Sequence, residues 1–272
     1  EHADLEGVII DGAASGSSLL DGCRDAGVYL LRCRDVRLKN VEVRHYPGDA
    51  ISFQQCIDIY VGDCRLQHNT GHGLHPGSGS VRYVMRGNHV HHNGGCGIYY
   101  CLRTTHSLCQ DNRIESNQAE GISVGERDTD HLIENNTLRS NGTAGVRFRR
   151  AALSGGDRVL IRSNQLSANG QDDSGPQLDV QAGNHDLAIT GNEFGRGASP
   201  MVRIDRGGQR IELRDNRFNG RPAVPGDIEA DGGVFAARSE SALRPGPADL
   251  DAGGARHLGV AVLRPWIDRG LD

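Results

Sequence analysis

At 272 residues and a net charge of −5, the chain offers no basic surface that would recommend a nucleic acid or an acidic membrane as partner. Its 38 glycines and 4% aromatic residues leave too few large apolar side chains for a thick two-layer core, yet 36% hydrophobic content is too high for a disordered chain. No stretch approaches the roughly 20 apolar residues needed to cross a bilayer, and a thin, repetitive core satisfies all of these constraints.

The first residues, EHADLEGVIIDG, open inside a strand-like run without a charged-then-apolar leader, as a sequence lacking upstream residues would. They decide nothing about export. From Gly27 a pattern begins in which a small residue precedes apolar–x–apolar: Gly27-Val-Tyr-Leu, Ala50-Ile-Ser-Phe, Gly73-Leu-His-Pro, Gly97-Ile-Tyr-Tyr, Gly121-Ile-Ser-Val and Gly145-Val-Arg-Phe. Gln177-Leu-Asp-Val and Met201-Val-Arg-Ile continue it, at spacings of 23, 23, 24, 24, 24, 32 and 24. Alternation of buried and variable residues is the period of a strand with one buried face, and its repetition marks a solenoid.

Two asparagine columns keep the same register. Asn88, Asn112, Asn136, Asn164, Asn192 and Asn216 form one, and Asn69, Asn93, Asn117, Asn141 and Asn169 the other. Asparagine tolerates a left-handed backbone, and stacked amides can bond along the axis. The sequence therefore predicts an all-β fold, a parallel β-helix of about eight coils over 1–220. The coil between Val146 and Gln177 is eight residues longer than its neighbours, with the excess expected in Ala151–Asp157 and Gln171–Pro176. Residues 221–272 read as a Pro/Gly/Ala-rich irregular tail whose last apolar run, His257–Ile267, is suited to capping an open end.

The run from Gly27 to Gly220 resembles the right-handed parallel β-helix repeat of the pectate-lyase-like superfamily. That resemblance implies polysaccharide lyases, glycoside hydrolases or uronate epimerases, alongside phage tailspikes and periplasmic proteins. It also implies a secreted or periplasmic location, with a cytoplasmic one left open. The aspartate cluster that binds calcium in pectate lyases has no counterpart here, and no cofactor or metal is expected.

Function must then sit on the outer wall. The third residue of each aligned strand points outward, giving the column Tyr29, Ser52, His75, Tyr99, Ser123, Arg147, Asp179 and Arg203. The following turns add Arg103 and His106 in one coil, Glu126, Arg127, Asp128 and Asp130 in the next, and Arg149 in a third. At this period Arg103 stacks on Arg127 and His106 on Asp130. Two mechanisms suit such a patch on a polysaccharide or oligosaccharide. In one, Arg103, Arg127 and Arg147, with Arg149 and Glu126 close by, bind a sugar carboxylate while His75, Tyr99 or His106 removes the adjacent C5 proton, as a lyase or epimerase does. In the other, two of Glu126, Asp128 and Asp130 work as the acid and nucleophile or base of a glycosidase or transglycosylase. Plainer readings compete: Asp128 and Asp130 as turn caps, Arg127 as the partner of one of them, His75 as a turn residue beside Pro76. A glycan-binding or structural β-helix and a small-molecule biosynthetic enzyme remain as other classes.

Seven cysteines, all in the first half and without a CxxC, read as buried free thiols, although Cys33 and Cys56 fall at equivalent points of adjacent coils. His45, His68 and His92 share a column at spacings of 23 and 24. Ring stacking is the expected role, with convergence on a metal the alternative. Strand alternation predicts that His89 and His91 point one way and His92 the other.

Overall fold

The computed structural model describes residues 2–13, 24–152, 154–170, 174–231 and 235–238. Among them there is no helix; three parallel sheets of ten, nine and nine strands wind into a right-handed solenoid of about eight turns. A typical coil gives one strand to each sheet, as Val81–Arg86, His89–His91 and Ile98–Tyr99 do. The expected cap at His257–Ile267, the thiol of Cys23 and parts of the long coil lie outside the described residues.

Register confirms the repeat. In the third sheet Val28 pairs with Ile51, Ile51 with Leu74, Leu74 with Ile98, and the line continues through Ile122, Val146, Leu178 and Val202. The long coil divides its excess: neighbouring rungs are 28 residues apart at Asn136–Asn164 but 32 apart at Arg147–Asp179. Both expected insertion points are therefore used. Strand pairing also passes the expected boundary at residue 220, because Ile228–Ala230 pairs with Val202–Ile204 and Phe235–Arg238 with Gln209–Arg214. Ladder bonds are made by the backbone, so a Gly- and Ala-rich stretch can add a rung without the apolar signature that would reveal it.

Inside, one or two side chains per strand per rung fill a narrow core. Ile51, Leu74, Ile98, Ile122 and Val146 face Val43, Leu66, Val90, Ile114 and Leu138 across it, all fully buried. Burying each such side chain contributes about 1.5–3 kcal/mol, so stability accumulates rung by rung. Both asparagine columns are ladders. Asn112 Nδ2 donates to Asn136 Oδ1 at 2.9 Å and to the Met85 carbonyl at 2.9 Å, and Asn93 Nδ2 donates to Asn117 Oδ1 at 2.9 Å.

The left-handed backbone falls one residue earlier than expected. Asp111, Asn135, Ser163 and Asp215 carry positive φ ahead of their ladder asparagines, as do His68, His92, Ser116 and Ser140 ahead of theirs. The amide must reach inward to meet its neighbours, so the preceding residue makes the turn. All six cysteines among the described residues are free. Cys33 and Cys56 are adjacent without a disulfide, the Cys33 amide donating to Cys56 Sγ at 3.4 Å.

Candidate functional site

The outward face of the third sheet carries a row whose chemistry changes at every rung. Pairing sets Ser52 beside His75, Tyr99 beside Ser123, Ser123 beside Arg147 and Arg147 beside Asp179. The Ile98–Leu74 pair aligns Tyr99 with His75. Adjacent rungs lie roughly 4.8 Å apart, so six consecutive side chains span a length suited to a few sugar units. The residue just before each aligned glycine or alanine forms a second row: Asp49, His72, Cys96 and Glu120.

Asp49 organises one end. Its Oδ2 accepts a hydrogen bond from His75 Nδ1 at 2.7 Å, and its Oδ1 accepts the His72 amide at 2.7 Å. That fixes the His75 tautomer and turns Nε2 away from the carboxylate. Burial alone would depress His75, but hydrogen bonds to Asp49 and to the Cys101 thiol, with the Asp49 charge, raise it to about 8. The same hydrogen bond from His75 holds the Cys101 thiol below its ordinary value despite burial, helped by the charge of Arg149. His72 behaves in the opposite way: burial pushes it down to about 4, and its Nδ1 accepts the Cys96 amide at 2.9 Å. It is a neutral ring whose proton sits on Nε2.

Tyr99 lies at the centre. Its ring stacks on His72 with centroids 4.3 Å apart and planes inclined by 2°, and it meets the His75 ring edge-on at 5.1 Å. Burial drives its hydroxyl up to about 12, so the phenol keeps its proton. The Arg149 guanidinium covers the ring at 4.2 Å from the centroid. Arg149 donates to Ser123 Oγ and to the Tyr100 carbonyl, each at 2.7 Å. Gly125 leaves the space that the guanidinium occupies, since a Cβ there would stand 1.8 Å from Arg149 Nη2 and would displace it.

The other end is acidic and basic in alternation. Arg147 donates to Glu120 Oε1 and, at 2.9 Å, to Asp179 Oδ2. Burial opposes ionisation of Glu120, but the Cys96 hydrogen bond and the Arg147 charge hold its carboxyl below the usual range. Arg147 is thus matched by two carboxylates. Arg149 has no carboxylate within ion-pair distance among the described residues and is bonded only to neutral oxygens. Nearby, Gln54 Oε1 is buried without a hydrogen-bond partner, an acceptor aligned with Gly77 on the next rung.

The structure brings together four of the sequence-predicted residues: His75, Tyr99, Arg147 and Arg149. The others occupy the turns leading into the first sheet. Arg103 and Arg127 stand exposed on successive rungs, Arg127 pairing at 3.6 Å with Glu126. His106 and Asp130 are neighbours at the left-handed position that opens each strand of that sheet. Asp130 is clamped by Arg158 through two bonds of 2.7 Å. These bonds hold its carboxyl below the usual range against the cost of burial. Asp128 is fully buried and caps its turn, accepting from the Thr104 amide and hydroxyl and from the Gly125 amide, each at 2.9 Å. The expectation of a catalytic Asp128 is corrected accordingly, because no face of its carboxyl is left for a substrate.

Reasoning from the aligned strand alone missed Asp49, His72, Glu120 and Cys101. A signal for the first three was present: the column ahead of the small residue changes from carboxylate to imidazole to thiol to carboxylate. The thiol of Cys101 was grouped with buried cysteines, but it is only half-buried.

The sequence profile for a right-handed β-helix region matches residues 6–149 and 101–242. No curated protein matches the chain in sequence. Among solved structures, the A-module of mannuronan C-5 epimerase AlgE4 from Azotobacter vinelandii is similar at 19% identity and a TM-score of 0.58, covering 78% of this chain and 65% of that one. The periplasmic alginate epimerase AlgG is similar at 14% identity and a TM-score of 0.55, covering 75% and 49%. DFA-IIIase from Arthrobacter chlorophenolicus A6 is similar at 12% identity and a TM-score of 0.62, covering 78% and 60%. The chain spans less than two thirds of each of these proteins, and at such identities the likeness is one of fold.

Proposed function

The chain belongs to the family built on a right-handed β-helix region, and on that scaffold we propose a carbohydrate-active enzyme that acts on an acidic, uronate-containing glycan by proton abstraction. One observation carries the proposal. Arg149 is a half-buried cation, laid over Tyr99 and held only by neutral oxygens, beside a row of proton-carrying groups. A sugar carboxylate is the charge that such a guanidinium lacks. The epimerases of mannuronan and alginate among the similar structures favour the same substrate class.

Neutralising the C5 carboxylate lowers the acidity barrier of the C5–H bond, since charge developing on the carboxylate in the transition state is met by a fixed cation. His75 is the base, with Asp49 behind it as the orienting carboxylate; it becomes competent as it loses its proton near pH 8. Tyr99 keeps its proton and is the acid. If Tyr99 protonates the leaving O4, the reaction is an elimination; if it protonates C5 from the opposite face, it is an epimerisation.

A hydrolytic reading survives through the DFA-IIIase likeness. It draws less support from the side chains, because Asp128 is a buried cap and Asp130 is already neutralised by Arg158. A secreted or periplasmic location is proposed from the likeness to AlgG, a periplasmic alginate epimerase.

The test is incubation with a panel of uronate-containing and neutral polysaccharides in deuterated water. Ultraviolet absorbance, reducing ends and deuterium at C5 are followed together. Absorbance or C5 deuteration on an acidic glycan, lost in Arg149→Ala, is the expected result. Reducing ends without either would transfer the protein to the hydrolases, and no change on any glycan would remove the carbohydrate reading.

A further inference from the structure

On a different wall of the solenoid, at the end of the second sheet, five histidines gather. His45, His68 and His92 stack, with centroids 5.7 and 4.9 Å apart. His91 stands across this stack, edge-on to His68 at 5.9 Å and to His92 at 5.1 Å, and His89 lies 4.0 Å from His91. The sequence expectation that His91 and His92 point apart fails here. His92 has a φ of 55°, which ends the strand alternation and swings its ring back, so that His91 Nδ1 and His92 Nδ1 face each other at 2.8 Å.

We infer that His68, His91 and His92 form a binding site for a transition-metal ion of the zinc, nickel or copper class. One ring nitrogen from each lies within 4.8 Å of one from each of the others. Around an ion with bonds of about 2.0–2.1 Å such nitrogens stand roughly 3.3 Å apart, which small ring rotations reach from here. A second observation points the same way. His91 is 6% exposed, and its Nε2 is buried without a hydrogen-bond partner. With Nδ1 turned to another ring nitrogen, the protein leaves this imidazole incompletely satisfied, as a ring built to meet an ion would be.

The donor set selects the metal. Three imidazoles without a carboxylate suit borderline ions and not calcium or magnesium. His68 and His92 are exposed, so an ion can enter and one coordination position stays open to water or an incoming donor. Beside the set, His89 Nε2 bonds Glu115 at 3.0 Å, bringing a negative charge close to the cationic centre.

The rival trio Asp49, His72 and His75 also has ligand atoms within 4.8 Å of one another. Its nitrogens are more fully engaged: His75 Nδ1 is bound to Asp49 and His72 Nδ1 to the Cys96 amide.

Titration of the full chain with cobalt(II) and zinc(II), read by calorimetry and by visible absorption, tests the assignment. One ion per chain is expected, with d–d bands but no thiolate-to-cobalt charge transfer. Affinity should fall about tenfold or more in both His68→Asn and His92→Asn, exposed left-handed positions where asparagine is tolerated and the parent melting curve is kept, while His72→Gln binds as the parent does. Absence of stoichiometric binding at micromolar metal overturns the site. So does retention of full affinity in both variants, or a charge-transfer band reporting cysteine ligation. Because the site lies apart from the glycan wall, either result is independent of the polysaccharide assays.

Discussion

The asparagine ladders and the outward row of the third sheet ride on the same coils, yet one repeats at every rung and the other changes from each rung to the next. In a ladder each rung asks its neighbour for the same thing, an amide that donates one way and accepts the other, so Asn88, Asn112, Asn136, Asn164 and Asn192 are interchangeable. In the outward row Ser52, His75, Tyr99, Ser123, Arg147 and Asp179 stand at equivalent points with six different environments. Parallel stacking costs the outer side chains nothing in fold, so they are free to diverge, and the rungs where they diverge into titratable groups are where a ligand would be read. Sameness reports the scaffold and difference reports the site.

That contrast predicts two kinds of damage. The largest effect should come from the row. Arg149→Ala removes the cation over Tyr99 and should cut turnover on the cognate glycan by about 10²–10³-fold, the magnitude typical of losing one preorganised charge-stabilising donor. The loss of the Ser123 and Tyr100 contacts should lower stability only modestly. If turnover fell no more than severalfold, the row would lose its claim to be the site. The ladder should fail differently. In Asn112→Ala, the Asn88 backbone amide loses its acceptor and the Asn88 Nδ2 and the Met85 carbonyl each lose one bond inside the solenoid, while Asn136 Oδ1 keeps the backbone amide of residue 112. Each orphaned buried group costs about 1–3 kcal/mol, and with partial relaxation the urea midpoint should report a net loss of about 3 kcal/mol. Turnover measured on the folded fraction should not change.

The same contrast explains what the sequence made legible. Inward positions such as Ile98 and Ile122 repeat because the core repeats, so counting spacings recovered the coils, their register and both insertion points in the long coil. The outer wall was legible only as a direction: the alternation that buries Ile98 sends Tyr99 out, and His75, Tyr99, Arg147 and Arg149 were found that way. Partnerships were not legible, because they run between rungs. Nothing in Arg158 announces that it will clamp Asp130 from 28 residues away. Asp49 reaches His75 across 26 residues, and a turn residue such as Asp128 is indistinguishable in sequence from a catalytic one. His92 shows the other limit: a single left-handed residue reverses the direction that alternation assigns.

A smaller effect follows from pH. His75 rises from 6.5 to about 8 in the folded chain, so the stability it contributes is fully present below pH 6.5 and is lost as pH rises through 8. The difference amounts to about 2 kcal/mol. Turnover that uses neutral His75 as base runs the other way, climbing through the same window. Urea stability that falls while rate rises between these pH values, with both trends flattened in His75→Gln, is the expected pattern. Alkylation of Cys101 offers a parallel reading: iodoacetamide should react faster with the parent than with Asp49→Asn at neutral pH, because the imidazolium that lowers the thiol depends on that carboxylate.

The smallest expected effect is the sharpest test of where the row ends. The sequence groups Arg127 with the cations that would bind a sugar carboxylate, yet the fold leaves it exposed on a turn, paired at 3.6 Å with Glu126 on the solvent-facing side. Such pairs contribute about 0–1 kcal/mol, so Arg127→Ala should melt within a degree or two of the parent and keep its turnover. A long polymer, however, extends beyond the few residues that do chemistry. If Arg127→Ala raised KM on polymer while leaving short oligosaccharides unaffected, the groove would run from the third sheet onto the adjoining turns, and Arg103 on the rung beside it would be its continuation. If kcat itself collapsed, the chemistry would belong to the turn, and the division between a repeating scaffold and a diverging row would have been drawn along the wrong edge of the sheet.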